Sequence, residues 1–439
     1  MSNKQIKLDH SKFGNIDLAE FNEETKKVQI FHTIMLEGKD PLLKDKEVVM
    51  TGWKTESPFI SNDKLSDIKK SAEELRNKID DYVSIGIGGS YLGTKATIEA
   101  VVGNLELFNL FSKEERNGIP RIFFLGNHMD PSYISKILKL LDNRKIGVNV
   151  ISKSGGTVEP AIAFAIMKDL MEKRFKNPSD LIVAITDAAK GALKKLAGEK
   201  SYKTFDVPDN VGGRFSVTSP VGLFGLAMAG INIEEFISGV KFGEEATRTL
   251  PFEKNIAMQR AVLRFIAYKK LSKKIELVST GIYDLKGIAG WMQQLGPESE
   301  GKNGEGLWIF PVFYTQDAHS IGQMIQEGER NIIETFLMVS DQGIDMKIKS
   351  LGTPVEYLDG KNLSFANNAF VEGLRKAHVE GGVPCMTYTL PDLSAFTIGQ
   401  LYQIEMNTIA LSGLLLGQNP FIQPGVQKYK AIADKKSGR

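Results

Sequence analysis

Short, continuous apolar runs alternate with stretches of helical periodicity along most of this chain. The run 82–87 (YVSIGI) ends in Gly88-Gly89-Ser90 and is followed by a helical pattern over 92–102. The alternation continues through 121–125 (RIFFL), a helix at 132–141, 148–152 (VNVIS), a helix at 159–175, 181–186 (LIVAIT) and a helix at 190–197. After a helical stretch over 216–271 it resumes, with runs at 275–280, 307–314, 334–339 and 384–390 and helices at 284–296, 319–327, 362–380 and 394–416. Strands covered on both faces read as unbroken apolar runs, so parallel sheets flanked by helices are predicted. The expected fold class is α/β, with two doubly wound, mostly parallel sheet domains and helical connections. A helical lead-in is placed at 1–64, with its clearest helix at 21–36, a first domain at 65–235 and a second at 236–439.

Composition narrows the functional classes. The 439 residues are ample for two or three domains, and 55 Lys+Arg against 53 Asp+Glu leave a formal charge of +2. No basic block gives an electrostatic reason to expect nucleic acid or an acidic membrane surface. The single cysteine, Cys385, excludes an intrachain disulfide and a thiolate-rich metal site. His10, His32, His128, His319 and His378 form no HExxH and no spaced cluster, so no metal is expected. The uncharged stretches 215–233 and 406–427 are interrupted by prolines, glycines and amides, short of the about 20 apolar residues a spanning helix needs. Residues 1–10 hold no hydrophobic signal region, and a soluble cytoplasmic protein is expected.

Ligands of open α/β sheets bind in loops at strand ends, and two loops stand out. The first, 85–93 (IGIGGSYLG), offers glycines for close backbone approach, free N–H groups at a helix start and the Ser90 hydroxyl. It satisfies neither familiar nucleotide motif: Tyr91 stands where a dinucleotide fingerprint needs glycine, and Thr94-Lys95 where a P-loop needs Lys-Ser/Thr. The second, 151–160 (ISKSGGTVEP), puts Ser152, Ser154, Thr157 and Lys153 before a helix whose first turn holds Glu159 and Pro160. A helix cap would use one hydroxyl, and three are present, so an anion site is expected. The pair of loops points to a phosphorylated small molecule.

Polar groups gather in four further segments: Arg214 in 210–216, Gln294, Glu298, Glu300 and Lys302 in 293–302, His319 in 317–323, and Lys430 in 421–430. Taken singly, each has an ordinary use as a solvated charge or a structural histidine. Six motifs occurring in order are more specific: GIGGSYLG at 86–93, SKSGGTVEP at 152–160, GGRFS at 212–216, QQLGPESEGK at 293–302, HSIGQ at 319–323 and FIQPGVQKYK at 421–430. From about residue 80 to the end the chain closely resembles the glucose-6-phosphate isomerase family, its shorter bacterial form in particular.

The resemblance implies two domains of the sugar-isomerase (SIS) type and an aldose–ketose isomerisation through a cis-enediol, with no metal or other cofactor. Carried over by matching position, it implies that Gly89, Ser90, Ser152, Lys153 (through its backbone), Ser154 and Thr157 hold the sugar phosphate. Glu298 would carry the proton between carbons 1 and 2, Arg214 would stabilise the enediolate, and Gln294 would line the site. His319 and Lys430 would assist ring opening, with His319 supplied by the neighbouring subunit of a homodimer. The chain departs from the family pattern at Ile422 and Gln427, where Asp and Glu are usual, and at Gly156, where Thr is common; these are expected to tune affinity. The isomerase is the leading reading, and two other classes are weighed against it. A phosphosugar-binding regulator would keep the hydroxyl loops without needing Glu298, His319 and Lys430 together, and a nicotinamide-dependent oxidoreductase would need the fingerprint that Tyr91 breaks. An isomerase of another hexose phosphate also remains open.

Overall fold

The computed structural model describes residues 4–14, 16, 21–44, 48–249 and 251–438. Among them are ten strands: β1 (Lys7–Asp9), β2 (Asp81–Ile85), β3 (Arg121–Leu125), β4 (Ile146–Ile151), β5 (Ile182–Thr186), β6 (Lys203–Asp206), β7 (Ile275–Thr280), β8 (Trp308–Phe313), β9 (Ile332–Val339) and β10 (Cys385–Leu390). The chain folds as two compact units, one made of Met50–Glu244 with Leu393–Gln403, the other of Met1–Val49, Glu245–Asp392 and Ile404–Arg439.

In the first unit the sheet order is β3-β2-β4-β5-β6, every pair parallel. All residues of β2, β4 and β5 are buried, the polar Asp81, Ser84, Asn149 and Thr186 among predominantly apolar neighbours. Val83, Ile85, Val148, Val150 and Ala184 pack with Phe164, Met167 and Ile137 from the crossover helices Val158–Arg174 and Pro131–Leu140. Asp130 caps the latter helix by accepting from Ser132 N at 2.9 Å, with Pro131 in its first turn.

The second unit repeats the plan. Its sheet order is β1-β10-β9-β7-β8, parallel except for β1, which runs antiparallel on β10. Among the described residues no helix is long and apolar enough to cross a membrane.

The expected division at 64/65 and 235/236 differs from this partition for identifiable reasons. The stretch 1–64 is not one lead-in: Lys7–Asp9 adds an edge strand to the second sheet, while Trp53 stacks on Phe215 at 5.0 Å in the first unit. Lys54 there forms a fully buried ion pair with Glu244 at 2.9 Å. The helix Ile233–Thr249 runs through the expected second boundary. Residues 393–403 return to the first unit because two glycines let helices touch backbone to backbone. A Cβ at Gly239 would lie 1.9 Å from the Phe396 carbonyl oxygen, and one at Gly399 would lie 2.2 Å from that of Phe236. Tyr402 Oη then donates to the Gly93 carbonyl at 2.8 Å.

Candidate active site

In the first unit the sheet changes direction between β2 and β4: β2 is followed by β3 on one side, β4 by β5 and β6 on the other. Connections leaving such a point diverge to opposite faces and open a crevice at the carboxyl ends of the strands. The two glycine-rich loops are the ones that leave there. Ile85 and Val150 are register partners, so the loops start from neighbouring strands roughly 4.8 Å apart.

The first loop turns immediately, with Gly88 at φ +56° and a short 3-10 turn at Gly88–Ser90. A Cβ on Gly89 would lie 1.9 Å from the Gly213 carbonyl oxygen and 2.8 Å from Arg214 N. This backbone contact seats the GGRFS segment on the loop. Ser216 Oγ donates to the Gly213 carbonyl at 2.7 Å and holds the turn Gly213–Thr218 closed. Arg214 is therefore no surface arginine: it is 2 % exposed, its guanidinium carbon 5.5 Å from the centre of the Phe215 ring. Tyr91, which breaks the dinucleotide pattern, packs edge-on against Phe124 at 5.2 Å; burial pushes its phenol up to about 12, so it stays neutral.

The second loop is built around Gly155 at φ +70°, whose Cβ would lie 2.4 Å from Leu193 N. Ser152 Oγ accepts from Gly155 N and Ser154 Oγ accepts from Gly156 N, each at 3.1 Å. A hydroxyl that accepts still has a hydrogen to donate. Thr157 occupies the N-cap of the Val158–Arg174 helix without a side-chain cap bond, so capping does not consume its hydroxyl. Glycine-rich backbone, hydroxyls and a helix amino end are together the kinds of group that can cradle an anion. The Lys153 ammonium pairs with Asp209 Oδ1 at 2.9 Å, which turns the side chain aside and leaves its backbone in the loop. The next loop along the same edge is held by Asp187, which accepts from Ala189 N and Lys190 N at 2.9 Å; these bonds keep its carboxyl below the usual aspartate value.

Gln294, Glu298, His319 and Lys430 belong to the second unit. The helix Lys286–Glu300 extends four residues past the predicted end at 296, through Pro297, so Glu298 stands in its last turn. Gln294 Nε2 donates to Glu298 Oε2 at 3.0 Å, one turn apart on the same face. Both line an open pocket of about 390 Å³ with Pro297, Lys302, Gln423 and Pro424. Gly425 and Val426 also border it, at the start of the Val426–Ser437 helix. Lys430, exposed, lies one turn beyond Val426 on that helix's same face. Glu300 has a different fate: fully buried, it meets Arg264 Nη2 with both carboxylate oxygens, at 2.9 and 2.8 Å. Of the two carboxylates in ESEGK, only Glu298 faces the pocket.

His319 is exposed and closes the short 3-10 turn Gln316–His319, which follows β8. Leu307 N, just before β8, lies 3.4 Å from Glu300 Oε2, whereas Phe313 N, at its end, donates to Asp317 Oδ2 at 2.7 Å. Glu298 thus lies by the amino edge of this sheet and His319 by the carboxyl edge, with a strand spanning roughly 20 Å between them. The carboxyl-edge rule that located the two glycine-rich loops does not locate Glu298. A crossover helix runs back along the sheet, so its last turn ends beside the strands' beginnings.

Gln423 and Pro424 were not singled out by sequence, although both lie inside the 421–430 motif; only the folded pocket shows them beside Glu298. Among the described residues no group of three or more His, Cys, Asp or Glu side chains is placed to hold a metal ion.

Comparison with known proteins bears on the family and the fold. The profile of the phosphoglucose isomerase family matches residues 72–437. A glucose-6-phosphate isomerase of Fusobacterium nucleatum subsp. nucleatum is 40% identical over 436 residues, covering 97% of this chain and 94% of its own. A hypothetical protein from Thermus thermophilus superposes with a TM-score of 0.87 at 27% identity, covering 99% of this chain and 100% of that one. The crystal structure of a glucose-6-phosphate isomerase from Chlamydia trachomatis shares the fold, with a TM-score of 0.79 at 20% identity over 99% of this chain and 89% of that one. With a profile spanning most of its length and a relative of this identity, the chain belongs to the phosphoglucose isomerase family.

Proposed function

We propose that this protein interconverts glucose 6-phosphate and fructose 6-phosphate, the aldose–ketose step of glycolysis and gluconeogenesis, through a cis-enediol. The observation that carries the reading is the contrast between two neighbouring carboxylates, Glu298 open to a pocket and held by Gln294, Glu300 locked in the interior by Arg264. Proton removal beside a carbonyl needs a base held at a fixed place, a contribution of about 10²–10⁴-fold. Glu298 takes the proton from one of carbons 1 and 2 and returns it to the other. Ser90, Ser152, Ser154 and Thr157, with the backbone at Gly89 and Lys153, bind the phosphate and so orient the reacting carbons. Arg214, buried and prepaid in position, meets the charge that develops on the enediolate. His319 and Lys430 exchange protons with the ring oxygen and anomeric hydroxyl as the ring opens.

Glu298 and His319 lie at opposite edges of one sheet, which supports a homodimer in which each chain lends His319 to its partner's site. A cytoplasmic location goes with this reading. The test is proton NMR of the chelator-treated protein with fructose 6-phosphate: glucose 6-phosphate is expected to accumulate to equilibrium. Binding of the sugar phosphate with no product would leave a phosphosugar-binding protein instead.

A further inference from the structure

The turn that carries Glu298 lacks one helical hydrogen bond. Pro297 lies inside the helix Lys286–Glu300 and has no N–H, so the Gln293 carbonyl receives no bond from it. At the helix end Gly301 N donates to the Pro297 carbonyl at 2.8 Å, and the Lys302 ammonium lies 3.3 Å from the Glu298 carbonyl and 2.5 Å from that of Ser299. Glu300 lies two residues on, about 200° around the axis from Glu298, and points the opposite way.

What Glu300 meets is an ion network with no solvent contact. Arg264 binds Glu300 with Nη2 and Glu276 with Nη1, and its Nε donates to Ser412 Oγ at 3.3 Å. Arg260 pairs with Glu276 at 2.9 Å and Glu405 at 3.1 Å. Tyr388 Oη donates to Glu405 at 2.6 Å, and Thr335 Oγ1 to Glu276 at 2.7 Å. Strands β7, β9 and β10 and the helices Ile256–Lys269 and Ala395–Leu415 are thereby tied to one carboxylate in the last turn of the Glu298 helix. Burying such charges is costly and brings no stability over apolar packing, so a gain in defined geometry is the reason to look for.

We propose that Arg264 and Glu300 are positioning residues for the isomerisation: their two-oxygen ion pair replaces the missing helical bond and fixes the turn so that Glu298 keeps its carboxylate toward the pocket. This rests on Glu298 being the base. The network holds two arginines against three glutamates, a net charge of −1, so Glu300→Gln leaves two against two and the interior charge balanced. Glu300→Gln is therefore expected to fold, with a thermal midpoint within a few degrees of the parent. Its kcat should fall roughly 10–100-fold, as a base displaced by up to an ångström would, while KM for fructose 6-phosphate stays within about twofold because the phosphate loops are untouched. Arg264→Lys keeps the charge but loses the fork, and should show the same split between kcat and KM.

Parent-like kcat in folded Glu300→Gln and Arg264→Lys overturns the proposal, as does a loss of kcat that only follows the fraction of folded protein. Glu298→Gln is measured alongside. If it turns over normally, the base assignment itself fails; if it is dead while Glu300→Gln is normal, only the positioning role falls.

Discussion

Gln294 and Glu298 are joined by a hydrogen bond of 3.0 Å across one turn of the helix Lys286–Glu300, the amide donating to one carboxylate oxygen of a residue that lines the pocket. A donor of this kind limits the carboxylate's rotation. Gln294→Ala removes that donor at a half-buried position without opening the core. Expected is a fall of roughly 10-fold in kcat/KM, about 1.4 kcal/mol, with an unchanged thermal midpoint. Steady-state kinetics beside a melting curve check it, and unaltered kcat/KM would remove the orienting role.

The Gly89–Gly213 contact makes a sharper structural prediction. Gly89→Ala drives a methyl group into the Gly213 carbonyl, a backbone atom that cannot swing aside. Overpacking of this kind costs about 1–3 kcal/mol, and the shift passes directly to Arg214 and Ser90, so activity should fall more than stability. Gly290→Ala is the control. That glycine lies inside a helix with nothing within 4 Å of its Cβ position, and the substitution should stabilise by about 1 kcal/mol. Denaturant unfolding of the two variants should move in opposite directions.

The opposite-edge placement of Glu298 and His319 predicts complementation between chains. Glu298→Gln and His319→Ala homodimers are each expected to be nearly inactive. Mixed and allowed to exchange subunits, half the dimers become hybrids, each with one site free of both substitutions. About a quarter of parental activity should return. Absence of recovery despite demonstrated exchange would place His319 in its own chain's site or in none.

Lys430→Ala and the His319→Ala protein should lose more activity on ring-closed substrate than proton exchange on an open-chain analogue. Equal losses on both would take ring opening away from these residues.

Asp187 gives a pH dependence. Its carboxyl is lowered in the folded protein by the bonds from Ala189 N and Lys190 N, so its contribution is fully present above the ordinary aspartate value near about 3.9. That contribution is lost as the pH falls through the lower folded value. Asp187→Asn should therefore melt below the parent at neutral pH, with the gap closing as the pH drops under about 4. A gap that is constant down to that region would mean that the bonds do not depend on the charge.

Much of the architecture was legible because it rests on local pattern. β2, β4 and β5 are buried on both faces and read as predominantly apolar runs, and the loops after β2 and β4 announce themselves by glycine and hydroxyl content. Other parts depend on partners far along the chain. Lys7–Asp9 is a strand only because Thr387–Thr389 lies beside it, and Lys203–Asp206 (KTFD) is a short, polar edge. The return of 393–403 to the first unit depends on the closeness that Gly239 and Gly399 permit, which no periodicity displays. Within ESEGK the sequence offers two glutamates two positions apart, and Arg264, 36 residues upstream of Glu300, decides which one is interior.

The most direct test of the account is proton transfer by Glu298 itself. Fructose 6-phosphate in deuterated water, followed by proton NMR, should give glucose 6-phosphate carrying deuterium at carbon 2 in part of the product with the parent protein. With Glu298→Gln there should be neither product nor exchange, while the sugar phosphate still binds. Conversion by Glu298→Gln at a rate close to the parent's would contradict the account at its centre.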